Sequence, residues 1–230
     1  MSKVKPTIFS VLDVETCRPS AGKAYGLVFD VAWRNIDRKG RVYGEGSFLA
    51  KDVVGKHIPY FVEKMGIYYQ LAYDRAIEPA TFAEISNEYN TQLEKLQKDG
   101  HKVIFCAYNA QFDSRALGYT AGLMNMTRFL RVKMPLLCIW HYWAMNCPKT
   151  YTAKKTASGK FYSTTAEDVY RFEFQDEGFI EEHIGYSDVI DECDILLKVL
   201  NRKRKLPLVN SIAELPGSVY RIANERLGMC

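Results

Sequence analysis

Three extended segments with short connections come first in this 230-residue chain, and helices alternate with strands after them. That order is the strongest constraint on the fold. Residues 7–14, 26–33 and 41–49 read as strands, with residues 35–40 as a turn. Connections this short make the three an antiparallel meander. Residues 56–79 read as mostly helical. A clearer helix follows: Thr81 and Glu84 form a capping box, and Phe82, Ile85, Tyr89, Leu93 and Leu96 recur at helical spacing until Gly100. Residues 102–107 are a short apolar strand, expected to be buried on both faces and parallel to the first. Helix is expected at 109–123, strand at 134–139, and helix at 140–146 and 165–172. A long helix is expected from Ser187, burying Val189, Cys193, Leu196 and Leu200 with Ile190 and Leu197. The fold class is therefore α/β, with a mixed β-sheet (antiparallel meander plus parallel strands) flanked by helices. One domain is expected over 1–205, followed by a 206–230 tail with one short helix.

The composition fits this. Hydrophobic residues make up 47% and charged residues 25%, as in ordinary globular proteins. Basic residues exceed acidic ones by 31 − 27 = 4, a mild excess compatible with a nucleic-acid partner. Apolar runs are too short to span a membrane. Residues 1–6 carry charge with no apolar run behind them, so no secretory signal is expected and the location is expected to be cytoplasmic. Six cysteines lack paired spacing, which suits reduced thiols. Cys138, His141 and Cys147 have the spacing of a partial zinc site. Their apolar neighbours favour core cysteines instead.

The chemistry is concentrated in acids. Asp13 and Glu15 end the first strand, and residues two apart share a face. Two like charges held together resist ionisation, and a divalent cation relieves them, which points to phosphate chemistry. Asp113 opens the helix after the 102–107 strand, at the strand edge where α/β proteins place their sites. A plain helix-end charge is the alternative for Asp113, as it is for Asp188, Asp191 and Glu192. His183 stands five residues before Asp188.

These motifs together resemble the DEDD 3′–5′ exonucleases, in their DnaQ-like branch of the ribonuclease H-like superfamily. Asp13-Val14-Glu15 matches the first motif, with Thr16 after it. Asn109 with Phe112-Asp113 matches the second. His183-Ile-Gly-Tyr-Ser-Asp188 fits the histidine (DEDDh) form of the third, and residues 163–170 are similar to phage and bacterial members. Arg18 after Cys17 departs from the small residues usual there. The resemblance covers about residues 7–200. It implies a ribonuclease H-like sheet and hydrolysis of terminal phosphodiesters to 5′-mononucleotides with two Mg²⁺ or Mn²⁺ ions. It further implies that Asp13 bridges both ions, that Glu15 and Asp188 bind the water-activating one, that Asp113 holds the other, and that His183 accepts the proton of water.

The implied substrate is the 3′ end of a single strand, DNA by family habit, with RNA trimming as the alternative. A polymerase or replication partner fits the same resemblance. A non-catalytic module binding nucleic acid or a polymerase is the reading from a different class, disfavoured by the intact acids. Thr16, Asn109 and Phe112 are candidate nucleic-acid contacts. So are Lys154, Lys155 and Lys160 in the 147–163 stretch, read as an exposed basic hairpin or loop. A solvated loop is the alternative for the lysines, and core packing for Tyr108. Basic residues 202–205 are read as helix-end charges facing solvent.

Overall fold

The computed structural model describes residues 5–17, 26–55, 65–74, 76–202 and 205–228. Arg18, much of the 56–79 segment, Lys203–Arg204, the leading four residues and Cys230 lie outside the described residues.

One six-stranded sheet organises the chain. Strands β1 (Ile8–Cys17), β2 (Leu27–Asp37) and β3 (Val42–Ala50) form the antiparallel meander. Strands β4 (Glu78–Ala80), β5 (Val103–Ala107) and β6 (Leu136–Cys138) join in parallel, giving the order β4-β3-β2-β1-β5-β6. The β2–β3 turn is shorter than the sequence suggests. β2 runs on to Asp37, whose carboxylate accepts the backbone N–H groups of Lys39 (2.8 Å) and Arg41 (3.1 Å). Within 56–79 only α2 (Met65–Tyr73) is helical among the described residues, and Glu78–Ala80 pairs as an edge strand. A single helical turn, α1 (Lys51–Val54), continues from β3.

The sheet separates two cores. On one side lie α3 (Phe82–Lys98) and α4 (Ala110–Leu123). The capping box of α3 is present, and its five apolar residues Phe82, Ile85, Tyr89, Leu93 and Leu96 are buried. On the other side lie α5 (Ile139–Met145), α6 (Ala166–Phe174), α7 (Gly185–Arg202) and α8 (Val219–Arg226). α7 begins two residues before Ser187. Its buried face includes Ile195, Val199 and Glu192, while Ile190 and Leu197 are only half-buried. Strand alternation assigns faces on β1. Ile8, Leu12 and Val14 pack towards α3 and α4, whereas Phe9 and Val11 pack towards α7. Asp13 and Glu15 continue the Phe9–Val11 face. The suggested zinc site does not form. His141 turns Nδ1 to Cys138 Sγ (3.1 Å) and Nε2 to the Pro216 and Gly217 carbonyls, while the Cys147 thiol points to the Pro148 carbonyl.

A buried amide helps to hold the connection into β6. Asn90 on α3 donates to the Phe129 carbonyl (2.8 Å) and accepts from Arg131 N–H (2.6 Å) and Val132 N–H (3.3 Å). Removing it strands groups that folding has taken from water. Asn90→Ala is expected to destabilise the fold by about 1–3 kcal/mol. Chemical denaturation measures this, and an unchanged midpoint would contradict it.

Candidate active site

β1 outruns its parallel neighbour. Its pairing with β5 ends at Val11–Cys106, so Asp13 and Glu15 lie beyond the last pair. After Ala107 the chain leaves the sheet and enters α4, opening a cleft of about 310 Å³ at the carboxyl end of β5. Parallel strands place binding crevices at this end. On the other flank Asp13 faces Ala32 and Glu15 faces Asp30 across β2, just before a register shift at Thr16.

Two helices bring further acids to this point. Asn109 caps α4 by accepting from Phe112 N–H (3.4 Å), which sets Asp113 in the first turn. Asp113 is buried and accepts the N–H of Val14, tying α4 to β1 between Asp13 and Glu15. α7 is positioned through Asp30. Gly185 N–H and Tyr68 Oη–H both donate to Asp30 Oδ2 at 3.0 Å. A Cβ on residue 185 would sit 3.0 Å from Asp30 Oδ1, so any larger residue there would press on that carboxylate. Asp188, in the first turn of α7, is then 3% exposed. His183 precedes the helix with a left-handed backbone (φ 56°), which is uncommon outside glycine. Glu15, His183 and Asp188 each put one ligand atom within 4.8 Å of the others.

A fifth acid joins them. Glu192 lies one turn after Asp188, is buried, and accepts Tyr108 N–H at 3.2 Å. Its i, i+4 spacing from Asp188 is the signal that marks the shared face. Sequence reasoning takes it for a helix-end charge. Asp30 also carries a visible signal, being an acid inside an apolar strand.

Burial and repulsion act together here. Burial raises the Asp13 carboxyl well above the usual range, and Glu192, Asp113, Glu15 and Asp188 add to it. Burial pushes Asp113 up to about 8 against its backbone hydrogen bonds. Asp188 also reaches about 8, through burial and then the charges of Glu181 and Glu15. Asp13 Oδ2 and Asp188 Oδ1 are buried with no hydrogen-bond partner among the described residues. Buried oxygens without partners, in a set of carboxylates and one imidazole, fit a hard divalent cation such as Mg²⁺ or Mn²⁺.

The other sequence candidates divide. Asn109 and Phe112 line the cleft, Phe112 at 38% exposure. Thr16 is half-buried on β1. Tyr108 is core and also lines the cleft. The 147–163 stretch carries a Lys155–Tyr162 bridge and an exposed tip, with Cys147, Tyr151 and Ser163 buried. Lys154 lies 3.6 Å from Asp168, Lys155 sits 3.8 Å over the Tyr162 ring, and Lys160 is exposed. None of the three lines the cleft. Among the described residues no helix is long and apolar enough to cross a membrane.

No protein-family model matches the chain, and no curated protein matches it. Solved structures do match its fold. One is the nuclease domain of 3'hExo, a DEDDh family member, bound to rAMP: 11% identity, TM-score 0.61, covering 90% of this chain and 98% of that one. Cell-death related nuclease 4 (CRN-4) has 17% identity and TM-score 0.52, covering 88% of this chain and 66% of that one. E. coli Exonuclease I in complex with a dA16 oligonucleotide has 16% identity and TM-score 0.55; the match covers 86% of this chain but only 41% of that one. The shared feature is the ribonuclease H-like mixed sheet flanked by helices.

The raised carboxyls have a thermodynamic consequence. Asp113 and Asp188 titrate near 3.8 in an unfolded chain and near 8 here. Between those values the native site holds protons that the unfolded chain releases. Their contribution to stability is full below about pH 4 and is lost as pH rises through about 8. The metal-free protein is expected to melt lower at pH 8.5 than at pH 5, by roughly 2–4 °C per kcal/mol lost. Magnesium should restore most of the loss at pH 8.5. A melting temperature that is flat or rising across this window would contradict the assignment.

Proposed function

We propose that this chain is a DEDDh-type 3′–5′ exonuclease that removes 5′-mononucleotides from the 3′ end of a single strand. One observation carries the reading: Asp13, Glu15, Asp113 and Asp188 converge beside His183, and two of their buried oxygens lack partners among the described residues. The shared fold with 3'-exonucleases supports it.

Asp13, Glu15, Asp113 and Asp188 would hold two divalent cations. When bound, such a pair activates a water and stabilises the leaving oxygen. The chain's own groups do the rest. Val14 N–H and the Asn109 cap orient Asp113. Asp30 holds the start of α7, and so Asp188. His183, exposed near Glu15 and Asp188, takes a proton from the attacking water. Phosphodiester binding should weaken with salt. DNA is our first reading of the substrate. RNA is the second, favoured by a fold relative bound to rAMP.

With magnesium, 5′-labelled single strands of DNA and matched RNA should shorten into a ladder from the 3′ end, and chelator should abolish it. His183→Ala should lower the rate by about 10²–10⁴-fold and leave a residue of activity. Asp13→Asn should do worse. A gel shift with no cleavage under either metal would instead support a binding module.

A further inference from the structure

The acid-bearing elements do not complete the cleft. Its remaining wall includes Trp140 on α5 and Tyr220 on α8, from parts of the chain that carry none of the four acids. Trp140 is fixed in place. Its ring stacks on Tyr108 at 6.1 Å, and its Nε1–H donates to Thr164 Oγ1 at 2.8 Å. Tyr220 meets it edge to face at 5.3 Å.

α8 is anchored by buried polar groups. His141 Nε2 lies 2.9 Å from the Pro216 carbonyl, just before the helix. Asn224, fully buried, accepts Tyr162 N–H at 3.1 Å and donates to the Tyr220 carbonyl at 2.8 Å. These contacts hold the tyrosine backbone while its side chain stays half-buried on the cleft. A preordered aromatic surface beside phosphate-handling carboxylates suits a planar base. Stacking is worth about 1–3 kcal/mol per base, or roughly 5- to 150-fold in affinity.

We propose that Tyr220, backed by Trp140, stacks on the 3′-terminal nucleobase, so that the last helix governs how firmly the end is held. This rests on the exonuclease reading and specifies its substrate subsite. The test uses two products that cannot be hydrolysed further, deoxyadenosine 5′-monophosphate and deoxyribose 5-phosphate, titrated by calorimetry in saturating magnesium. The first should bind roughly 5- to 150-fold more tightly. Tyr220→Leu, which keeps apolar bulk against Trp140, should erase that preference and leave deoxyribose 5-phosphate unchanged. Tyr220→Phe should keep it. The inference is overturned if the leucine variant retains the preference, if it weakens both ligands equally, or if the wild type shows no preference. Cleavage of strands by a wild type without base preference would sink this inference alone. Absence of cleavage would sink the exonuclease reading.

Discussion

The central constraint is electrostatic. β1 carries two carboxylates past the end of its parallel neighbour, and three more acids arrive from α4 and α7. Ionised together in a buried site they would repel strongly. The fold nevertheless packs them, so the surrounding elements must hold the acids against their own repulsion. The apolar cores on both faces of the sheet supply that hold. The destabilising centre and the strands that frame it are one object, since Phe9, Val11, Asp13 and Glu15 lie on one face of one strand.

The supports are long-range and polar. Asp30 accepts from Tyr68 and from Gly185, 155 residues away, and so fixes where α7 begins. Val14 N–H fixes Asp113 from the other side. Each acid of the site is therefore positioned by a hydrogen bond or strand pairing to a different part of the sheet. Such positioning is expected where groups must be held close to a reactive geometry.

Local patterns made much of this legible in the sequence. The meander, the capped α3 and the all-buried β5 follow from periodicity and turn chemistry, which act within a few residues. The acids of the first strand, Asp113 and Asp188 stood at strand ends and helix starts, where local pattern could point to them as candidates. What stayed hidden depends on tertiary partners. Glu192 has an ordinary place in a helix and becomes distinctive only because it meets Tyr108 N–H and faces Asp13. β4 is three residues long, and only its pairing with β3 makes it a strand. The early start of α7 depends on Asp30, far away in the chain. Cys138 and Cys147 are core cysteines, as their apolar neighbours suggested, but the sequence did not show that His141 spends both nitrogens on Cys138 and the 216–217 backbone.

The acid lining of the cleft has a kinetic corollary. Asp13, Asp113, Glu181 and Glu192 all border the cleft, and among the described residues no lysine or arginine lines it. Where these carboxyls ionise, above the pH to which burial has raised them, the bare cleft repels anions. On the exonuclease reading proposed above, cations held there would lower this barrier and tie a strand's encounter rate to the free concentration of the ion.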